Sequence, residues 1–209
     1  VQTCALPICI LDGLILGYIL SKSRQDFKIL ANQVFCKSDD LNDIILPISF
    51  DETKEASKMN IATRLSALNF LDNGGAIGVF PGGTVSTAQS PFGVPMDPGW
   101  RSFTAKMITR SDAQVVPIFF EGHNSRLFQV ASHIHYNLRM GLLIKEFKSK
   151  VGNPVKIAIG NPLSDTAIKS RSGNPRILMD FLREETYKLS RTPLDNFNYG
   201  YEFESRYKI

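Results

Sequence analysis

The apolar positions of this chain alternate between short continuous runs and longer stretches spaced at the helical period. Residues 27–31, 44–48, 76–80, 114–120 and 155–159 are apolar runs of strand length. Between them, residues 53–72 space Ala56, Met59, Ala62, Leu65 and Leu68 three apart, the stripe of an amphipathic helix, and Asn73-Gly74-Gly75 closes it. Residues 10–21 read as a helix starting near Asp12, since an acidic side chain suits the positive end of a helix dipole. Residues 100–110 and 125–144 read as two more helices. Asn174-Pro175 opens a last one, running to about residue 189, with proline in the early position that needs no backbone donor. Residues 86–99 hold three prolines and two glycines and read as a long irregular loop. The tail after Thr192 has no clear periodicity.

Strands alternating with helices predict a single α/β domain, with a mixed, largely parallel sheet flanked by helices. Such sheets place ligands in the long connections beyond the strand ends. The domain reads as residues 10–190, followed by a C-terminal tail over 191–209. Residues 1–9 are set aside as a foreign leader, because the chain opens on Val1 and Val1-Gln2-Thr3-Cys4-Ala5-Leu6-Pro7-Ile8 resembles translated adapter sequence.

Composition narrows the class. The 209 residues suit one domain, and 43% hydrophobic against 21% charged residues argues against disorder. The net charge of +4 is compatible with anionic lipid headgroups or CoA phosphates and too weak to argue for nucleic acid. Cys4, Cys9 and Cys36 have no metal-ligand spacing, and an odd, small number suits a reducing compartment. The longest apolar run, residues 10–20, contains Asp12 and falls short of the ~18 residues that span a bilayer.

Two segments carry candidate chemistry. In Gly78-Val79-Phe80-Pro81-Gly82-Gly83-Thr84-Val85-Ser86 a buried-type strand runs into a proline, two glycines and hydroxyl side chains. Glycines let a backbone approach a ligand and present N–H groups that hold phosphate or an oxyanion. A plain Gly-Gly turn leaving a strand is the competing reading. Neither a P-loop nor a dinucleotide fingerprint is present. The second segment runs from Val115 through Pro117 to Phe128. Pro117 lacks a ladder donor and so predicts an edge strand or a bulge, and Asn124 or Ser125 can cap the helix that follows. His133 and His135 lie two apart on one expected helix and face different ways, and Ser86 is in no nucleophile elbow. Lys145, Lys148 and Lys150, with Arg126 and Arg139, form either a basic membrane-facing patch or a solvated helix face.

Together these segments resemble the lysophospholipid (glycerol-phosphate) acyltransferase family. Phe80-Pro81-Gly82-Gly83-Thr84 resembles its Phe-Pro-Glu-Gly-Thr block, Val116-Pro117-Ile118 its later Val-Pro-Val block, and Leu11-Asp12-Gly13 the end of its His-x-Asp signature. Lys28-Ile29-Leu30-Ala31-Asn32 and Leu46-Pro47-Ile48 match the connecting strands, and the bacterial hemolysin-like or ornithine-lipid-type branch looks most similar. The resemblance implies that Asp12 orients a histidine base, which removes the proton of an acceptor hydroxyl. That hydroxyl then attacks the thioester of acyl-CoA or acyl-carrier protein, a donor substrate rather than a cofactor. It implies substrate-binding roles for Phe80, Pro81, Gly82, Gly83, Thr84, Ser86, Pro117, Asn124 and Arg126, with no metal.

The expected histidine falls on Leu6 or Pro7, and neither acts as a base. The chain therefore reads as N-terminally truncated and inactive, with His123 the fallback base. A non-catalytic lipid- or acyl-binding homologue is the alternative. Gly82 replaces the family's glutamate, while Val85 and Ser49 stand where arginines often contact phosphate, which puts a lysophosphatidic acid acceptor in doubt. The implied partners are a lysolipid and a membrane surface, with the protein peripheral at the cytoplasmic face and no nucleic acid bound.

Overall fold

A computed structural model describes residues 2–5, 9–33, 36, 39–49, 51 and 53–203; at 2–5, 9, 10, 39 and 40 it describes only the backbone. The strands β1 (Gln2–Ala5), β2 (Phe27–Asn32), β3 (Ile45–Ile48), β4 (Ala76–Val79) and β5 (Val116–Phe120) run parallel, and β6 (Ile157–Ile159) returns antiparallel along β5. Their order is β3-β2-β4-β1-β5-β6. The helices are α1 (Cys9–Ser23), α2 (Asp39–Asn42), α3 (Lys54–Asp72), α4 (Ser102–Ile108), α5 (Arg126–Ile134), α6 (Tyr136–Lys150), α7 (Asp165–Lys169) and α8 (Pro175–Tyr187). This is the single α/β domain with a mixed, largely parallel sheet that the alternating pattern predicts.

Alternation along the strands decides what covers each face. Ile29, Ile118 and Phe120 point to one side and pack against Leu16 and Leu20 of α1. Leu30, Ile77, Val79 and Phe119 point to the other and meet Ala67 and Leu71 of α3, Met107 of α4, and Leu178 and Leu182 of α8. Gly78 faces α1, and a Cβ there would stand 2.7 Å from Leu16 Cδ2 and 3.1 Å from Leu20 Cδ1. The missing side chain is what lets α1 lie so close to the sheet.

Local signals end the helices where the sequence suggests. Thr53 caps α3 by accepting from Ala56 N at 3.0 Å, and Asn174 caps α8 by accepting from Arg176 N at 3.0 Å. The long helix expected over 125–144 is instead two. His135 adopts an extended conformation, and its side chain accepts from Asn137 N at 3.1 Å, capping α6 as α5 ends. No glycine or proline marks that break, so apolar spacing alone runs through it.

Two further expectations meet the structure differently. β5 is an interior strand, not an edge, with β1 on one side and β6 on the other. Pro117 is tolerated there because β6 has already ended opposite it: Ile118 pairs with Ile159, and Pro117 only accepts, from Gly160 N at 2.9 Å. Within residues 1–9, read as a foreign leader, Gln2–Ala5 occupies the slot between β4 and β5, with Gln2 opposite Gly78 and Val116. Main-chain pairing fills that slot, and any extended stretch free of proline supplies it.

Gly78→Ala is expected to overpack the α1 contact and cost about 1–3 kcal/mol, read as a lower urea midpoint. Leu16→Ala alone leaves a cavity at the same point. Combined with Gly78→Ala, it should cost less than the two single changes together, since the new methyl enters the space vacated.

Candidate active site

The parallel strands β4 and β5 and the first turn of α1 deliver their loops to one end of the sheet. β4 ends at Val79, and the chain turns through Phe80-Pro81-Gly82-Gly83. Gly83 takes φ +68°, a region L side chains rarely adopt, and its N–H closes the turn on Phe80 O at 3.2 Å. Pro81 O accepts from Arg101 N at 2.9 Å, which fastens the start of α4 to the same turn.

Asp12 lies in the first turn of α1 and is buried. At the adjoining Gly13 a Cβ would sit 4.0 Å from the ring of Phe80, so the helix start abuts the turn. Gly13, Gly17 and Tyr18 of α1 line a cavity of about 380 Å³ together with Phe80, Gly83 and Thr84. Ile29, Ile45 and Ile48 of the sheet form its apolar wall. The size is within the usual range of small-ligand sites, and an apolar wall with a few polar groups at one end suits a lipid tail. Gly13, next to Asp12 in the first turn of α1, and Phe80, Gly83 and Thr84 of the turn therefore share one cavity wall.

Behind the turn stands a buried carboxylate. Asp97 accepts from Ser86 Oγ with one oxygen and from Trp100 Nε1 at 2.9 Å with the other. Its backbone N–H donates to the Tyr187 hydroxyl at 2.8 Å, and its carbonyl accepts from Arg183 Nη2 at 3.0 Å and from Gly200 N at 2.8 Å. Burial, helped by the Asp97 charge, pushes the Tyr187 hydroxyl well above its ordinary range, so it stays neutral. A Cβ at Gly82 would lie 3.5 Å from Asp97 Cγ. A glutamate at that position would begin against a carboxylate already in place, which gives glycine there a physical reason.

A buried arginine holds the other side of the loop. Arg139 of α6 donates to Thr87 Oγ1 at 2.7 Å, to Ser132 Oγ at 3.1 Å, to Val85 O at 3.2 Å and to Thr84 Oγ1 at 3.3 Å. Its guanidinium stacks on Phe128 and Phe203. Arg139 is thus part of neither a membrane-facing patch nor a solvated helix face, the two readings its charge offered.

The structure separates the remaining candidates. Ser86 is buried against Asp97 and lines a second cavity of about 300 Å³ with Phe120, Glu121, His123 and Tyr187. His123 is exposed there, with Nδ1 3.0 Å from Asn124 O. Asn124 is fully buried, and neither atom of its amide has a hydrogen-bond partner among the described residues. The helix cap falls to Ser125, which accepts from Phe128 N at 3.2 Å. Arg126 is exposed and donates to Gly93 O at 2.7 Å. Pro117 stands apart, lining neither cavity and packing near Gly160. Leu6 and Pro7, where the base is expected, lie outside the described residues.

Asp97, Tyr187, Arg183 and Arg139 escaped the sequence reading as parts of the site. Arg183 left one trace: it falls four residues after Met179, on the stripe that α8 buries. A charged group on an apolar stripe signals an internal partner.

The sequence matches the profile of a protein family described as Acyltransferase over residues 2–196. It is also 28% identical, over 187 residues, to a lyso-glycine lipid O-acyltransferase of Phocaeicola vulgatus. That similarity covers 85% of this chain and 63% of the relative, so the chain spans less than two thirds of that protein's length.

Tyr187→Phe keeps the ring and strands the Asp97 N–H, and is expected to cost about 1–3 kcal/mol in urea unfolding at neutral pH. Because folding raises the Tyr187 pKa, its contribution is complete below the unfolded value of about 10 and fades as pH climbs past it. The stability gap between wild type and variant should therefore narrow above that pH.

Proposed function

Since the chain belongs to this acyltransferase family, we propose that it serves acyl transfer from acyl-CoA or acyl-carrier protein to the hydroxyl of a lysolipid whose headgroup lacks a phosphate monoester. The observation that carries this reading is the apolar cavity bounded by Gly13, beside Asp12, and by Gly83 and Thr84 of the turn. The acyl chain lies along the isoleucine wall, and its thioester comes to the turn. A histidine at position 6 or 7, where this chain has Leu6 and Pro7, would be oriented by Asp12 and take the acceptor's hydroxyl proton. The freed oxygen bonds to the thioester carbon, and the thiolate leaves with the proton the imidazolium returns.

The developing oxyanion needs donors in place beforehand. The Gly83 N–H is committed to Phe80 O, so the role passes to Gly82 N–H and to Thr84. Arg139 donates to Thr84 Oγ1, which leaves the threonine's own proton free to point outward.

The acceptor follows from what the site lacks. Val85 is aliphatic and buried, and Ser49 is buried and tied to Asp51. Neither supplies the planar fork that best holds a phosphate monoester. Arg126 is occupied on Gly93 O and Arg139 inside its own network. The relative's name as a lyso-glycine lipid O-acyltransferase supports an amino-acid lipid as acceptor.

The base decides activity. With Leu6 and Pro7 in the expected positions, the chain as it stands should transfer no acyl group, while Leu6→His or Pro7→His should raise the rate by about 10² or more. On the active variant, lyso-glycine and lyso-ornithine lipids should outrun lysophosphatidic acid in a side-by-side assay with both donors. A preference for lysophosphatidic acid that collapses in Arg126→Ala would refute the acceptor assignment. Equal rates in all three chains would move the base to His123. The missing histidine also favours a second reading, a non-catalytic lipid-binding homologue. Lysolipid binding without transfer in both histidine variants would establish it.

A further inference from the structure

α6 turns its apolar side outward, and α5, which buries Phe128 and Ala131, exposes a second apolar stripe beside it. The residues α6 buries are the charged Arg139 and Glu146, seven apart on one face. Tyr136, Met140 and Ile144, four apart, are all exposed. On α5, Leu127, Val130 and Ile134 share one face, with Leu127 exposed and Ile134 68% exposed. Only His135 separates the helices, so Ile134 and Tyr136 flank the link and join the two stripes. A solvated helix would carry polar residues in these places.

A loop extends the same surface. Arg126, at the start of α5, donates to Gly93 O and so holds beside it the exposed pair Phe92, 80% accessible, and Val94.

The charge is as one-sided as the hydrophobicity. Residues 126–150 carry Arg126, Lys145, Lys148 and Lys150 besides the buried Arg139, against a single acid, Glu146. Glu146 is buried, accepting from Ser125 N at 3.1 Å, so the charge this pair shows to solvent is positive.

From these features we propose that the outer face of α5 and α6, with the Phe92 loop, docks the protein on an anionic lipid bilayer. Exposed apolar side chains among lysines enter the acyl boundary while the ammonium groups meet anionic headgroups. A protein partner is the poorer fit, because protein interfaces are depleted in lysine. A second copy is poorer still, since a two-fold contact would set positive face against positive face. No helix among the described residues is long and apolar enough to cross a membrane. The docking face takes its choice of substrate from the acyl-transfer reading. It adjoins that site through the contacts of Arg139 with Thr84 and Val85.

The test is flotation with vesicles of phosphatidylcholine, with and without phosphatidylglycerol, at two salt concentrations. The chain should float with the anionic vesicles, more weakly in high salt. Lys145→Gln and Lys148→Gln should each weaken binding about fivefold. The pair Met140→Ser with Ile144→Ser should weaken it at least about tenfold. Ile61→Ser with Leu65→Ser, exposed apolar positions on α3, should leave it unchanged, and circular dichroism confirms that each variant folds. Binding untouched by the α6 changes, or lost equally with the α3 changes, would overturn the proposal. So would a dimer in sedimentation that the α6 changes dissociate. Acyl transfer by a histidine-bearing chain in detergent micelles needs no docking. Failure there faults the acyltransferase reading and not the docking face.

Discussion

A carboxylate taken out of water must find its hydrogen bonds inside the protein, and Asp97 finds its own from stretches far apart in the sequence. Ser86 and Trp100 donate to its side chain, while Tyr187, Arg183 and Gly200 bind its backbone. The loop after β4, the last helix and the C-terminal tail are thereby fixed to one point. Gly200 shows how tight the closure is: a Cβ there would stand 1.8 Å from Met96 O. The turn at Gly82 and Gly83 rests directly on this buried group, and its position relative to α1 follows.

Arg139 plays the corresponding part on the other side of the loop. Its guanidinium reaches Thr84, Val85 O and Thr87, so α6 is joined to the cavity wall by hydrogen bonds, while α5 buries Phe128 and Ala131. This leaves the stripe of Tyr136, Met140 and Ile144 on α6 exposed, with no packing role inside the fold. On α6 an inward charged face and an outward apolar one are two consequences of one arrangement.

Much of the fold was legible because the relevant physics is local. The apolar runs of β2, β4 and β5, the three-residue spacing in α3 and the Asn174-Pro175 start of α8 each state a preference that the tertiary structure keeps. The Pro-Gly-Gly turn was legible as a candidate for the same reason, and Asp12 through the family resemblance of Leu11-Asp12-Gly13. What escaped is long-range. The break at His135 depends on a side chain capping the next helix, and Pro117 is interior only because β6 stops opposite it. Asp97 lies in a proline-rich loop without periodicity, so nothing near it announces partners as distant as Tyr187 and Gly200. The tail around Gly200 and Tyr201, which looked featureless, is specified by its contacts with that loop.

The account stands or falls on whether the cavity between α1 and the Pro-Gly-Gly turn receives an acyl chain, and binding tests this without requiring turnover. Gly13→Leu should fold normally, because a Cβ there meets the Phe80 ring at an ordinary 4.0 Å, while the rest of the side chain fills the cavity mouth. Titration calorimetry with a non-hydrolysable long-chain acyl-CoA analogue should show binding to the wild-type chain. In Gly13→Leu the affinity should fall by at least about tenfold, the loss of a buried apolar contact worth more than ~1.4 kcal/mol, with thermal stability unchanged. Equal affinity in the two proteins would place the acyl chain elsewhere and contradict the account.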